Sequence, residues 1–376
     1  MKNKELYFYH IVVIPLIVAV NLKAQEKVFP VPKISYNPEH YICYKTDSDI
    51  LIDGYLTEDN WLAARWSDSF TDIEGSPKDK PGLDTKVKML WDDLYFYVGA
   101  RLQEPHIWAT LKQRDTVIYQ DNDFEIFIDP DWDTHNYYEI ELNAFNTVWD
   151  LLLLKPYRDG GLAVNAWDIT GLKTAVSFQG TLNDPSDTDT AWFVEIAIPW
   201  NILKECSGVP SPPENNDLWK INFSRVQWQT EIMDRKYVKL QQATKSNPHP
   251  ESNWVWSPQG IIAMHYPEMW GVVQFSDKYV GTKPEFEKQF EHESAYWYLR
   301  KLYYRQKNFY LKNGYYADDP GILQLQEYVL PGYKFPVRLD AARSSYEATL
   351  FSPEGDFYIS IFEDGKIVLI KSTQIR

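Results

Sequence analysis

Short runs of alternating apolar and polar residues extend from Ile34 to Phe275, and they constrain the fold more than any other feature. Glycine, proline, asparagine and aspartate break these runs at close intervals. Alternation with a period of two is typical of strands that bury one face. Frequent turns between such strands favour a sandwich or barrel over strand–helix–strand repeats. The sequence therefore predicts an all-β protein, either a sandwich or a barrel.

Two hairpins are predicted within this region. Lys86–Leu90 and Leu94–Leu102 flank a turn at Asp92 and Asp93, and Phe124–Ile128 is followed by a matching strand at Tyr137–Leu142. Each pair combines β-branched or aromatic residues with a short polar connection, which is the usual signature of a hairpin. The second pair contains Glu125 and Glu141, two of the candidate functional residues.

A different module is predicted from residue 281 to the end of the chain. Glu285–Lys312 contains no proline or glycine and stops at Asn313-Gly314, which predicts one long helix. Three strands joined by tight turns follow and predict a small antiparallel meander: Tyr346–Phe351, Asp356–Phe362 and Lys366–Lys371. The apolar face of the helix is predicted to dock on the sandwich, and the module is also a candidate surface for a protein partner.

The N-terminus has the layout of a secretory signal peptide. Lys2 and Lys4 precede a short apolar run, Ile11–Val20, and a small residue stands before Gln25. The run is too short to span a bilayer, and the first cysteine is the distant Cys43, which argues against a lipid anchor. We expect a secreted or periplasmic protein that is not integral to a membrane. The predicted organisation is a signal at 1–24, a sandwich at 25–280 and a C-terminal module at 281–376.

The acidic composition narrows the choice of partner. The net charge of −15 repels phosphate backbones, so nucleic acid and anionic membranes are excluded as partners, whereas neutral ligands and cations remain. The 15 tryptophans and 26 tyrosines leave rings for the surface, where they can stack on apolar ligand faces. Cys43 and Cys206 allow either one disulfide or two free thiols.

Eight carboxylates lie between Asp121 and Asn143, in the sequence DNDFEIFIDPDWDTHNYYEIELN. Asp129, Asp131 and Asp133 have the spacing that begins a calcium-binding loop. Thr134 follows where an EF-hand has glycine, and Ile140 stands where it has a bidentate glutamate, so the segment is not an EF-hand. An irregular calcium site and a plain solvated acidic turn both remain open.

The same segment can also be interpreted as a catalytic pair. If Ile128 pairs with Tyr138, Glu125 lies directly opposite Glu141, with side chains about 5 Å apart. That separation is close to the about 5–5.5 Å between the carboxyl groups of a retaining glycosidase. A slip of one residue would separate the two carboxylates. A glycoside hydrolase that uses Glu125 and Glu141 is therefore one alternative.

A third interpretation makes this face the floor of a binding site. Glu125, Glu141 and Asn143 would offer polar groups to hydroxyls, while Tyr119 and Trp149 would supply stacking planes. Sugars are bound by this combination of flat rings and planar polar groups.

Five segments in order carry a family resemblance: IDGYLTEDNW, VKMLWDDLYFYVGARL, DNDFEIFIDPD, WFVEIAIPW and YPEMWGVVQF. This succession, from about Ile50 to Phe275, resembles the family 9 carbohydrate-binding modules. These modules are DOMON-like β-sandwiches of secreted systems that degrade plant polysaccharides. The resemblance therefore implies an all-β fold, a β-sandwich of the immunoglobulin-like or jelly-roll kind. The resemblance implies a module that binds sugar without catalysis, and a structural calcium ion.

In the family, two aromatic residues enclose a sugar, and an acid, an arginine and amides bind its hydroxyls. The resemblance places the acid at Glu125 and one aromatic residue at Tyr119, where other members have tryptophan. The arginine position falls on Glu141, ahead of Asn143. The second tryptophan position falls near Met264 and His265.

This departure suggests replacements for the missing groups, and Arg225 is one candidate. Neither zinc-type histidine and cysteine spacing nor a nucleophile elbow or a nucleotide-binding loop occurs in the sequence. We therefore predict carbohydrate binding with no required cofactor, calcium being optional. The predicted site comprises Tyr119, Glu125, Glu141, Asn143, Trp149, Arg225 and His265. The alternatives are the hydrolase above and a partner-binding scaffold that has lost the sugar site.

Overall fold

The computed structural model describes residues 28–240, 244, 250–283, 287–325 and 330–372, so the predicted signal peptide lies outside the described residues. The helices are α1 (Asp59–Ala63), α2 (Trp200–Leu203) and α3 (Glu293–Asn313). The strands of the first 280 residues are β1 (His40–Lys45), β2 (Thr71–Asp72), β3 (Thr85–Trp91), β4 (Tyr95–Gln103), β5 (Asp123–Asp129), β6 (Tyr137–Asn143), β7 (Val148–Leu153), β8 (Ala163–Val164), β9 (Lys173–Gln179), β10 (Ala191–Pro199), β11 (Leu218–Gln227), β12 (Thr230–Met233), β13 (Lys236–Lys239), β14 (Ser252–Val255) and β15 (Gly271–Tyr279). The remaining strands are β16 (Arg338–Ala341), β17 (Tyr346–Phe351), β18 (Phe357–Phe362) and β19 (Ile367–Lys371).

The main sheet has the order β8-β7-β6-β5-β11-β15-β1-β3-β4-β10-β9, with β14 and β2 attached beside β11. Its pairings are antiparallel except for those of β1, which runs parallel to both β15 and β3. One hydrophobic core draws residues from both ends of this strand order. In its centre Trp219 lies 5.2 Å from Phe275 and 5.6 Å from Trp200, measured between ring centroids. The predicted all-β sandwich is confirmed.

Both predicted hairpins form, and the second has the register that the carboxylate argument required. Strand β3 pairs with β4, and β5 pairs with β6. Ile128 lies opposite Tyr138, and Glu125 lies opposite Glu141. Phe124, Ile126 and Ile128 enter the hydrophobic core. Because side chains alternate, Glu125 and Glu141 lie on the other face of the sheet.

The Glu195 carboxylate fixes the position of the segment IDGYLTEDNW. Glu195 on β10 accepts hydrogen bonds from the backbone N–H groups of Asp53 and Gly54, each at 2.9 Å, and from the indole of Trp61 at 2.8 Å. Gly54 has a φ of +89°, and a Cβ atom there would come within 2.9 Å of the Val176 backbone. The turn at Asp53-Gly54 therefore requires glycine at its second position.

The C-terminal module contains the predicted helix and meander. Helix α3 ends where predicted, with Gly314 in the left-handed conformation at φ +75°. It begins at Glu293, later than the predicted Glu285, and residues 287–292 form no helix. Within this segment Phe290 packs on Trp132, with ring centroids 4.4 Å apart. The small sheet also has a strand that the sequence did not indicate, β16, at its edge.

Helix α3 is fixed to the sandwich by apolar and charged contacts. Its buried side chains share a core with the small sheet and with Phe29, Tyr266 and Met269 of the preceding region. At the sandwich surface, Glu268 accepts hydrogen bonds from the Arg158 guanidinium at 2.9 Å and from the Tyr304 hydroxyl at 2.5 Å. The predicted docking of the helix on the sandwich therefore occurs, and the helix also packs against the small sheet.

Cys43 and Cys206 are both free thiols in the structure. Among the described residues, no helix has the length and apolarity needed to cross a membrane.

Candidate functional site

A cleft of about 610 Å³ opens on the outer face of β5, β6 and β7. Five of the seven predicted binding residues line it: Tyr119, Glu125, Glu141, Trp149 and His265. Strand pairing explains this grouping, because Glu141 lies between Glu125 on β5 and Trp149 on β7 in one cross-strand row. The cleft is therefore positioned by the central strands of the sandwich.

The floor of the cleft is acidic and buried. Glu125, Glu139 and Glu141 line it, and the fully buried Asp123 shares the strand face of Glu125 on β5. Glu141 accepts a hydrogen bond from the Tyr119 N–H at 3.0 Å, and Asp123 accepts one from the Val226 N–H at 3.1 Å. The second oxygen of Asp123 and one oxygen of Glu139 are buried and have no hydrogen-bond partner.

Burial is the main influence on the ionisation of this floor. It raises the pKa of Glu125 to about 7, and burial with the neighbouring Glu125 carboxyl raises the pKa of Glu139 to about 8. Burial also raises the pKa of Glu141 and of Asp123 well above the ordinary value, with the Glu125 carboxyl as the next cause. Charged carboxylates in a poorly solvated group repel one another, so the floor favours protons or cations.

Aromatic rings form the walls of the cleft. The Tyr119 side chain is partly open to solvent, and its ring centroid lies 6.5 Å from that of Trp149 with the planes tilted by 33°. The Trp228 indole donates a hydrogen bond to the Tyr119 carbonyl at 2.8 Å, which supports this wall from behind. Tyr157 contacts His265 edge to face at 4.4 Å. These rings offer flat apolar surfaces beside a polar floor.

Asn143 and Arg225 do not line the cleft. The Asn143 amide donates to the Leu111 carbonyl and to Asp121, and its oxygen accepts from the Phe145 and Thr147 N–H groups in the turn that follows β6. Ser224 pairs with Glu125 on the cleft face, so alternation turns Arg225 to the opposite face of β11. There Arg225 forms a buried ion pair with Glu104 at 3.0 Å. Both side chains therefore stabilise the fold, and neither belongs to the cleft lining.

Several lining residues were missing from the predicted set. Glu139 could have been found, since it precedes Glu141 by two residues and so shares its face. Tyr157, Glu251 and Asn253 reach the cleft from other segments, and no local pattern indicates that they do so. Trp228 also lines the cleft, and the Lys239 ammonium lies over its ring at 3.9 Å.

The acidic loop, residues 129–136, fits a hard cation. Asp129, Asp131 and Asp133 each bring one carboxylate oxygen within 4.8 Å of the others. One oxygen of Asp129 is buried without a hydrogen-bond partner. Thr134 has a φ of +69°, so it adopts the left-handed conformation that glycine takes at this position of an EF-hand. Oxygen donors at this spacing suit calcium, although Lys366 already lies 3.1 Å from Asp133.

Residues 52–255, more than half of the chain, match the model of a family described as "Carbohydrate family 9 binding domain-like". The chain belongs to this family. The family 9 resemblance predicted from the five sequence segments is thus confirmed, and the match includes the floor and most of the walls of the cleft.

Individual relatives of this family 9 chain are distant. Exoglucanase XynX of Acetivibrio thermocellus is 27% identical over 158 residues, which are 42% of this chain but only 12% of that enzyme. A family 9 module from Caldicellulosiruptor kristjanssonii in complex with cellotriose has 16% identity and a TM-score of 0.39, and covers 66% of this chain and all of its own. A putative carbohydrate-binding protein from Bacteroides uniformis has 16% identity and a TM-score of 0.42, with 64% of this chain and all of its own covered.

Proposed function

We propose that this family 9 protein binds a carbohydrate in the cleft without transforming it. The observation that carries the proposal is the cross-strand row in which Glu125, Glu141 and Trp149 lie side by side, with Tyr119 at its edge. This row sets hydrogen-bonding groups next to aromatic planes, which is the combination that sugar rings require.

Each part of the cleft has a separate role in this proposal. The rings of Tyr119 and Trp149 stack on the C–H faces of the sugar. The floor carboxyls bind hydroxyl groups, and a protonated carboxyl can donate a hydrogen bond as well as accept one. Because every polar group must first lose its water, we expect a modest affinity.

The charge of the cleft restricts the ligand. Its described lining includes Glu125, Glu139, Glu141 and Glu251 but no lysine or arginine. An acidic sugar such as a uronic acid would be repelled by these carboxyls. The ligand is therefore an oligosaccharide or polysaccharide that is neutral. The predicted export signal agrees with a role outside the cytoplasm in polysaccharide utilisation, and both remain part of the proposal.

Calorimetric titration with neutral oligosaccharides tests the proposal. The panel starts with glucose and cellotriose, the sugars in two family 9 complexes. We expect Tyr119→Ala to weaken binding at least about 10-fold, on the assumption that stacking of a sugar face on this ring is of the same order as base–aromatic stacking, about 1–3 kcal/mol. Tyr55→Ala is the matched control, because Tyr55 is 57% exposed and lies outside the cleft. Absence of binding across a broad neutral panel, with the protein folded, would contradict the proposal and favour a partner-binding scaffold.

Hydrolysis is the second candidate, and the confirmed pairing of Glu125 with Glu141 is the observation in its favour. A retaining glycosidase needs one ionised carboxylate as nucleophile and one carboxylic acid. Burial raises the pKa of both glutamates, so neither is an ordinary ionised nucleophile. We therefore favour binding. Chromatography of the titrated sugars decides between the two, because product that Glu125→Gln abolishes would establish the hydrolase.

We also propose that the acidic loop binds calcium through Asp129, Asp131 and Asp133. The ion would neutralise three neighbouring carboxylates and satisfy the unpartnered oxygen of Asp129. Its role would be structural, because the loop lies outside the cleft lining.

A further inference from the structure

The cleft floor contains a second group of converging acids. Asp123, Glu125 and Glu141 each place one carboxylate oxygen within 4.8 Å of the other two. All three side chains are buried, at 0%, 5% and 2% exposure. None of the ion pairs among the described residues includes any of them. Three carboxylates in one buried group, without a protein cation beside them, are costly to ionise.

Unsatisfied oxygens point to an occupant of this group. Asp123 uses one oxygen to accept from the Val226 N–H, and its other oxygen is buried without a partner. Independently of the three acids, Glu139 in the adjacent cross-strand row has a buried oxygen without a partner. Buried polar atoms are nearly always satisfied in native proteins, so these atoms indicate a ligand that the polypeptide does not supply.

The chemistry of the group selects a hard divalent cation. All the converging donors are carboxylate oxygens, which suit calcium and magnesium better than softer metals. Oxygens on opposite sides of a calcium ion are about 4.6–5.2 Å apart, since each lies at about 2.3–2.6 Å. Magnesium requires about 2.0–2.1 Å and a near-regular octahedron. Three carboxylates that leave further positions to other oxygens suit the larger and more flexible coordination shell of calcium better than the regular octahedron of magnesium.

We propose that Asp123, Glu125 and Glu141 bind a calcium ion in the cleft floor, and that two neighbouring hydroxyls of the sugar complete its coordination. Calcium takes 6–8 oxygen ligands, so three carboxylates leave positions open. Because Glu125 and Glu141 line the cleft, an ion bound between them would have its open positions on the cleft side. The role of the sugar rests on the proposed function, whereas the ion site stands without it.

The ion would also explain how an acidic floor accepts hydroxyl groups. A carboxylate pair alone binds hydroxyl hydrogens, whereas a bound calcium binds hydroxyl oxygens directly. Stacking on Tyr119 and Trp149 would then orient the ring while the ion selects sugars with two suitably placed hydroxyls. Carbohydrate binding in this cleft would consequently depend on calcium.

The experiment must separate the floor from the acidic loop. Asp131→Asn is introduced first to weaken the loop site, and the protein is freed of metal with a chelator. Calorimetric titration with CaCl₂ should then show one ion bound, and adding Glu141→Gln should weaken that binding at least 10-fold. Asp123→Asn is the second variant and should act in the same direction. Both changes keep an oxygen that can accept the existing backbone hydrogen bond, and thermal unfolding checks that the variants are folded.

Sugar titrations with the unsubstituted protein complete the test. We expect affinity to fall at least 10-fold in chelator and to return with CaCl₂ but not with MgCl₂. Calcium binding that is unchanged by both Glu141→Gln and Asp123→Asn would overturn the ion site. Sugar binding that is equal in chelator and in calcium would overturn the role of the ion and leave the proposed function intact. Calcium binding at the floor without any sugar binding would support the ion site while the proposed function fails.

Discussion

His265 is a half-buried base at one end of the cleft. Its ring contacts Tyr157 edge to face, and its Nδ1 atom lies 2.8 Å from the Tyr137 hydroxyl. Burial, and then the Arg158 guanidinium, lower the pKa of His265 to about 3. A proton on this ring would be poorly solvated and would face a fixed positive charge. The side chain therefore stays neutral across the pH range in which most histidines titrate.

Because of His265, the free energy of unfolding should decrease as the pH is lowered. Its pKa is lower in the folded than in the unfolded protein, so its contribution is fully present above about pH 6.5 and is lost as pH falls towards 3. One such group changes the free energy of unfolding by at most about 1.4 kcal/mol per pH unit. We expect a smaller slope, because the ring is partly exposed in the cleft.

Chemical unfolding of the protein and of His265→Gln between pH 6.5 and 5 measures this contribution. The difference in unfolding free energy between the two proteins should shrink as pH falls. The same change at the exposed His106, which lies outside the cleft lining, serves as the control for replacing a histidine by glutamine. Parallel curves for wild type and His265→Gln would show that the ring is protonated as readily in the folded state as in the unfolded state.

At the scale of elements, the attachment of α3 depends on a compact group of buried charges. Arg158 and Arg300 both approach Glu268, at 2.9 and 3.8 Å. Asp159 is close to Lys307 at 2.6 Å and accepts from the Tyr303 hydroxyl at 2.7 Å. These residues come from the sandwich and from the helix. These charged contacts therefore fix the position of α3 on the sandwich, in addition to its apolar packing.

Glu268→Gln should destabilise the protein strongly. The substitution leaves Arg158 and Arg300 buried with one fewer negative charge, and breaking a buried pair from one side costs about 3–5 kcal/mol. Chemical denaturation gives the unfolding free energy. Asp340→Asn is the control, because its ion pair with Arg338 is exposed and should contribute less than about 1 kcal/mol. Equal effects of the two changes would show that the Glu268 group is only a surface contact.

The elements that could be predicted from the sequence are those set by local pattern. The pairing of Glu125 with Glu141 was predicted on the condition that Ile128 pairs with Tyr138, and the structure has that register. Arg225 was misplaced because it was considered alone, although its alternation with Ser224 places it on the opposite face. The late start of α3 depends on Phe290 contacting Trp132, and the cleft position of Tyr157 depends on segments far apart in sequence. Neither contact has a local signal.

For the whole molecule, the C-terminal module and the acidic loop are physically joined. Thr134 donates to the Gly365 carbonyl at 3.2 Å, and Lys366 lies 3.1 Å from Asp133. His135 lies 3.3 Å from Asp364. The turn between β18 and β19 thus packs on the loop proposed to bind calcium. A protein partner for this module remains a prediction, and such a partner would have to bind a surface other than this turn.

The parallel pairing of β1 with β15 has a mechanical consequence. Strand β1 lies near the start of the sandwich sequence and β15 lies near its end. The two strands pair side by side, beginning with His40 opposite Val272. Tension between residues 39 and 280 would pull them along their length in opposite directions, so their hydrogen bonds would have to rupture together. Handles at Thr85 and Leu102, the open end of the β3–β4 hairpin, would instead separate one bond after another. Single-molecule stretching should therefore require the larger force for the first geometry.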